Sequence, residues 1–463
     1  MSTQNRLPEN KMGVMPLTKL LINMSLPMII AMLVQALYNV VDSVFVSWYD
    51  PDAAVTALSL AFPVQNIMIG FATGIGVGVN ALLSKSLGEG DQKTANRAAG
   101  NGFFLVALAT VIFALFGIFG TGAFFNMQPI DENKELVVRY GTQYTSICCI
   151  FAVGIFVEVL GERLLQASGR TVYTLVTQGT GAVLNILLDP LFIFGVEWLG
   201  IPPMGIAGAA IATVTGQWVA AILALIFNLK CNPEVNFRLR DMIPSKRVIG
   251  KILTVGVPSI IMVAVGSVMN FSMNQILLGI DPTNAATKVF GIYFKLQSFF
   301  FMPLFGLNNG TVSIVAYNYG ARKPARITGT LKRSCAIALC VMIVGLLVFQ
   351  LVPDLLLDIF NQSDAVIQIG RTALRQISWA FPMAAIGIAL TAGFQGLGNG
   401  SYSTIISLCR QMVVLLPAAY LLSLSGVVTR VWWAFPIAEV FSLAVSLLLF
   451  LRIYNRKIKP LSE

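Results

Sequence analysis

The sequence predicts an all-α polytopic membrane protein: twelve transmembrane helices in two six-helix lobes, related by a pseudo-two-fold axis along the membrane normal. Three observations carry that expectation. Of the 463 residues, 56% are hydrophobic and only 11% charged, with mean hydropathy +0.78; soluble domains carry about 25% charged residues. Apolar runs of about 20 residues, enough to cross a bilayer as a helix, recur along the whole chain. The two halves also echo each other at constant spacing.

Twelve runs qualify as spans. They centre near Val34, Ile69, Thr110, Ala152, Val183, Thr215, Ala264, Phe301, Leu339, Ala384, Val414 and Ala444. The polar start leads into a span with no small-residue cleavage site, so no removable signal peptide is expected. The resulting division is an N-terminal segment over 1–17, an N-lobe over 18–230, a linker over 231–247, a C-lobe over 248–454 and a tail over 455–463. Counting loops alternately, one side holds 23 of the 31 Lys and Arg residues, including Lys85, Lys93, Arg97, Arg238, Arg240 and Arg322. The positive-inside rule places that side, and both termini, in the cytoplasm of a plasma-membrane protein. Basic loops against an anionic leaflet account for the net charge of +10 without nucleic acid. The six cysteines show neither metal-ligand nor disulfide spacing and read as small apolar filler.

The repeat is direct. Residues 25–58 align without gaps on 256–289, so that Pro27 meets Pro258, Asn39 meets Asn270 and Asp50-Pro51 meets Asp281-Pro282. Shifted by one residue, Gly78 and Gly88 meet Gly310 and Gly320. An even number of spans per half makes the repeats parallel, with a substrate site expected between them near mid-membrane. Gly70, Gly74 and Gly78 recur every four residues, the spacing of helices packed closely in lipid rather than of a nucleotide loop.

Charges inside spans are costly and mark function by default. In span one, Gln35, Tyr38, Asn39 and Asp42 share one helical face. In span five, Asn185 lies one turn before Asp189, and Pro190 deprives the Ile186 carbonyl of its helical donor. Carbonyl, amide and carboxylate together make an oxygen-rich pocket suited to a proton or a hard cation. Pro27, Pro190 and Pro258 are the expected kinks. The chain has no histidine, so proton coupling would run on carboxylates. Glu158 and Glu162, next to Arg163, read as a structural charge cluster. Arg410 and Glu439 are expected to neutralise each other as a structural pair. In the second lobe Lys295 either lines the cavity or snorkels outward, and Gln297, Asn270, Met269, Met273 and Phe294 are further cavity candidates. No metal-ligand set, nucleophile elbow or Walker-type loop is present, so neither a resident metal, an organic cofactor nor enzymatic activity is expected, and an ion gradient should supply the energy.

Several segments carry a family resemblance: Pro27 to Asp42, the glycine-rich second span leading into "SKSLGEGD", "LLQASGR", "NILLDPLFIFG", "GIAGAAIAT" and "LCRQMVVLLP". Together they resemble the multidrug and toxic-compound extrusion (MATE) transporters, in the bacterial branch of staphylococcal-type exporters and DNA-damage-inducible relatives. The resemblance implies a V-shaped antiporter that expels lipophilic or cationic small molecules in exchange for H+ or Na+; the chain is expected to function as a monomer. It also implies that Asp42, Asn185, Asp189 and Thr213 form the polar cluster of the N-lobe. Some branches carry acidic residues in spans seven and ten; this chain has none there, which concentrates coupling in the N-lobe. Lipid-linked oligosaccharide flippases of the same superfamily are the alternative.

Overall fold

The computed structural model describes residues 10–128, 133–196, 200–236, 238–360 and 364–461. Residues 1–9 of the expected N-terminal segment and 462–463 of the tail lie outside the described residues. Among the described residues, regular structure is helical apart from one isolated bridge, Val196 to Ile201.

Ten helices are long and apolar enough to cross a membrane. Two bent pairs complete the twelve spans. The first lobe comprises α1 (Leu17–Tyr49), α2 (Ala53–Glu89), α3 (Gln92–Phe119), α4 (Lys134–Ile150 with Val153–Ala167), α5 (Thr171–Ile193) and α6 (Ile206–Cys231). The second comprises α7 (Lys246–Ile280), α8 (Ala285–Gly320), α9 (Pro324–Leu351), α10 (Asp364–Ser378 with Phe381–Gly396), α11 (Gly400–Ser423) and α12 (Val428–Leu461). The repeat is visible in the connectors. Asp50 closes α1 and its Oδ1 accepts from the amides of Asp52 and Ala53, while Asp281 closes α7 and accepts from Thr283 and Ala286. Each carboxylate satisfies amides left open at a helix start.

Pro27, Pro190 and Pro258 lie inside helices that run without a break. At helix breaks the chain bends by 47° in α4 and 49° in α10, at matching places in the two lobes. In α10 the cause is legible: Pro382 opens the second segment and has no amide to bond back across the break.

Two large apolar cores correspond to the two lobes, but the first turns of α1 and α7 are exchanged. Leu20, Leu21 and Met24 pack into the second lobe's core, and Val248 and Ile252 into the first's. The seam between lobes is lined by glycine. A Cβ on Gly78 would overlap the Ile252 carbonyl oxygen, one on Gly88 that of Tyr317, and one on Gly320 that of Lys85. Only backbone without side chains permits such approach. Gly70 faces Val263 and Gly74 faces Gly256, so the four-residue glycine stripe of α2 is its contact with α7.

A strap crosses this seam at the end that carries most of the basic loops. Asn10 caps the short helix Lys11–Val14. Its Nδ2 donates to the Ser168 carbonyl at 3.0 Å and to both Glu234 oxygens at 2.6 and 2.8 Å, all in the first half of the chain. The next residues are held by the second half. Asn318 and Arg326 donate to the Met12 carbonyl, Lys323 to that of Gly13, and Arg326 to that of Met15 at 2.8 Å. Burial pushes the Glu234 carboxyl above its usual range, against the opposing pull of Asn10, Arg170 and Lys11. A carboxyl raised in the folded state withdraws stability once ionised, as pH rises above its unfolded value. Glu234→Gln, which keeps an acceptor for Asn10 and sheds that charge, is therefore expected to leave the Tm in detergent unchanged or higher. Glu234→Ala, which strands the Asn10 amide, is expected to lower stability by about 1–2 kcal/mol.

Candidate ion and substrate site between the lobes

Close packing of α5 on α6 builds the first-lobe site. Gly181 and Gly216 face each other so tightly that a Cβ on Gly216 would come 2.7 Å from the Gly181 carbonyl oxygen. That approach seats Thr213 against Asn185. Asn185 Nδ2 donates to Thr213 Oγ1 at 3.3 Å and, one turn along its own helix, to Asp189 Oδ1 at 3.2 Å. From α1, Asp42 enters the same cluster, its carboxyl in contact with that of Asp189. All three acidic and amide side chains are buried, with Asp189 0% exposed and Asp42 8%. Beyond the carboxyl–carboxyl contact, Asp42 Oδ1, Asp189 Oδ2 and Asn185 Oδ1 find no hydrogen-bond donor among the described residues. Two ionised carboxylates can only accept, so a proton or a cation shared between them would satisfy both.

A cavity of about 800 Å³ lies between the lobes, lined by residues of every span except α3 and α9. Gln35, Tyr38 and Asn39 of α1 face into it, as do Asn185 and Thr213. Asp42 and Asp189 do not line it; they sit behind this polar wall. Asn185 and Thr213 thus stand between the carboxylates and the cavity.

In the second lobe Met269, Asn270, Phe294 and Gln297 line the cavity, but Met273 and Lys295 do not. The repeat explains Met273, which stands 231 residues after Asp42. Where the first lobe has its buried acid, the second has a methionine, fully buried in the apolar core. Lys295 is exposed and points away, its Nζ 6.0 Å from the centre of the Phe360 ring; of the two readings open to it, the outward one describes its position. Among the described residues Asn270, opposite number of Asn39, donates to the Gly266 carbonyl of its own helix.

The other charges in the cavity wall are Glu158, Glu162, Arg163, Arg410 and Glu439. Glu158 and Glu162, expected as a structural cluster with Arg163, line the cavity together with it. Arg163 Nη1 donates to Gln166 at 2.9 Å, and Glu162 accepts from the Thr177 hydroxyl at 2.8 Å. A cavity between lobes is not encoded in local spacing, so a four-residue acidic pair gave no sign of facing one. Arg410 Nη1 meets Glu439 Oε1 at 3.2 Å. Among the described residues no cluster of three or more His, Cys, Asp or Glu side chains could hold a metal.

Comparison with known proteins agrees with this architecture. The MatE family model matches residues 27–191 and 258–421, one block in each lobe. The multidrug export protein MepA of Staphylococcus haemolyticus is 23% identical over 438 residues, covering 95% of this chain and 94% of its own. MepA of Staphylococcus aureus strain MRSA252 is 23% identical over 446 residues, 94% of each chain. A multidrug resistance MATE family transporter solved in an outward-facing conformation superposes with TM-score 0.88 at 25% identity, covering 99% of this chain and 100% of its own. A MOP superfamily transporter from Pyrococcus furiosus superposes at 0.89 with 24% identity, covering 99% and 100%. With both repeats matched by the family model and the whole fold shared, the chain belongs to the MatE family.

Proposed function

We propose that this protein is a secondary antiporter of the plasma membrane that exports lipophilic or cationic small molecules in exchange for H+ or Na+. The observation that carries the coupling is the Asp42–Asp189 contact, with buried oxygens that lack donors. A proton between the carboxyls, or a cation against Asp42, Asp189, Asn185 and Thr213, supplies what that cluster lacks. Asn185 and Thr213 belong to both the cluster and the cavity wall, so occupancy of one changes the donors and acceptors offered to the other. That shared wall is the physical basis of exchange. Kinship with MepA supports the choice of cargo. The glycine seam closes the basic end, which the positive-inside rule places in the cytoplasm with both termini. The conformation is then open to the outside.

The test is reconstitution in vesicles containing a fluorescent lipophilic cation, with a pH gradient and a sodium gradient imposed separately. Movement of the dye under one gradient and not the other is expected, and names the ion. Immobility under both would overturn the antiporter reading and turn attention to lipid substrates.

A further inference from the structure

We propose that the groove where α1 meets α5, at the basic end of the molecule, is a binding site for one anionic phospholipid of the leaflet there. The groove lies outside the cavity and shares no lining residue with it. The inference therefore goes beyond the export reading and stands whatever the cavity carries.

The groove has a volume of about 650 Å³ and takes its walls from Thr18, Lys19, Ile22, Asn23 and Leu26 of α1 and Val172 of α5. Pro27, also in the wall, leaves the Asn23 carbonyl without its helical donor. The Thr171 hydroxyl takes that place at 3.3 Å, which ties the first turn of α5 to α1. From Lys19 to Leu26 the helix rises about 10 Å, against about 15 Å for half of the hydrocarbon core. Ile22, Leu26 and Val172 are exposed along this length. In lipid, where packing rather than hydrophobicity selects partners, a concave apolar strip holds an acyl chain by its shape.

The outer end of the strip is polar and positive. Lys19 is exposed and has no ion-pair or hydrogen-bond partner among the described residues. Arg333 Nε donates to the Thr18 hydroxyl and its Nη1 to the Gly329 carbonyl, each at 3.1 Å and both neutral acceptors. Lys11 Nζ reaches Asn23 Oδ1 from the strap at 2.6 Å. Burial and the Arg170 guanidinium beside it push that ammonium below its usual range, against the pull of Glu234. Arg170, two residues before Val172, has a buried Nε with no acceptor among the described residues. Four cations thus stand at this end, and the carboxylate that acts on Lys11, Glu234, is already held by Asn10. A phosphate with net negative charge fits that surplus, as basic pockets between spans fit anionic headgroups. A zwitterionic headgroup brings its own cation and fits it less well.

Native mass spectrometry of the purified full chain in detergent reads the site without any ion gradient. Phosphatidylglycerol and phosphatidylcholine with the same palmitoyl and oleoyl chains are titrated separately. The wild type is expected to retain one phosphatidylglycerol about tenfold more tightly than phosphatidylcholine. Lys19→Gln should cut that preference about fivefold, the share of one lysine beside an anionic lipid. Leu26→Trp, which fills the apolar strip with a ring, should abolish the tight phosphatidylglycerol. Lys246→Gln, at an exposed basic residue opening α7, should change nothing, and Tm checks the fold of each variant. Soluble glycerol phosphate, which has the phosphate without the chains, should not compete. Equal retention of the two lipids by the wild type would overturn the proposal. So would a preference unchanged in Lys19→Gln and Leu26→Trp, an equal loss in Lys246→Gln, or full competition by glycerol phosphate. Failure of gradient-driven dye transport with the lipid preference intact would sink the antiporter reading alone.

Discussion

Asp189→Asn is expected to fold at wild-type stability or above and to lose gradient-driven transport altogether, and Asp42→Asn to do the same. In the native cluster two acceptor-only groups meet, and among the described residues Asp42 Oδ1 and Asp189 Oδ2 have no hydrogen-bond donor. An asparagine at 189 keeps the shape and turns one oxygen into an amide that donates to Asp42 permanently. Satisfying a buried acceptor adds about 1 kcal/mol, so the variant's Tm in detergent should hold or rise. What it cannot do is release and regain a charge. The cluster is then fixed in one of its two states, and the exchange that depends on alternation between them stops. Loss of counter-ion movement and drug movement together, with Tm preserved, is the expected pair of readings. Drug efflux at the wild-type rate in either variant would remove the carboxylates from the mechanism, whatever their contact.

How much of this site was legible in the sequence depends on whether its geometry is local. Asn185 and Asp189 are four residues apart on one helix, and hydropathy marks that helix as a span; their hydrogen bond follows from helical periodicity. The face shared by Gln35, Tyr38 and Asn39 is legible for the same reason. Which side chains meet across helices is not written in spacing. The Asp42–Asp189 contact depends on the register of α1 against α5, and Thr213 comes into reach only because Gly181 and Gly216 let α5 and α6 touch; family resemblance, not periodicity, pointed to it. For Met273, expected in the cavity, the signal lay elsewhere in the sequence. The gap-free repeat already set it opposite Asp42, and an acid's counterpart in a lobe without intramembrane acids on that helix is free to become core. Lys295 turned on Phe360, a ring brought near by the chain beyond α9, which no local pattern announces. Bends followed the same division: Pro382 accounts for the break in α10, whereas the one in α4 has no proline.

Gly88→Ala and Gly320→Ala are expected to open the seam and stop transport, although neither residue touches the cavity or the carboxylates. The two glycines are counterparts in the repeat, and each rests on a backbone carbonyl of the other lobe, Tyr317 for Gly88 and Lys85 for Gly320. A carbonyl held in a helix cannot swing aside as a flexible side chain would. One added methyl must therefore part the two helices, and overpacking of this kind costs about 1–3 kcal/mol. That cost falls only on the conformation closed at this end. A two-state transporter would shift toward the alternative by about 5- to 150-fold. Hydrogen–deuterium exchange reads the shift directly: amides of Met12–Met15 and of the α8 end near Ala321 should lose protection by a comparable factor. Gly279→Ala is the control, because no atom lies within 4 Å of its Cβ position and alanine favours the helix; it should transport normally. Unchanged protection in Gly88→Ala and Gly320→Ala would mean that the seam yields without parting. Alternation would then have to be controlled elsewhere, at the strap that Asn10 and Arg326 pin across the same two lobes.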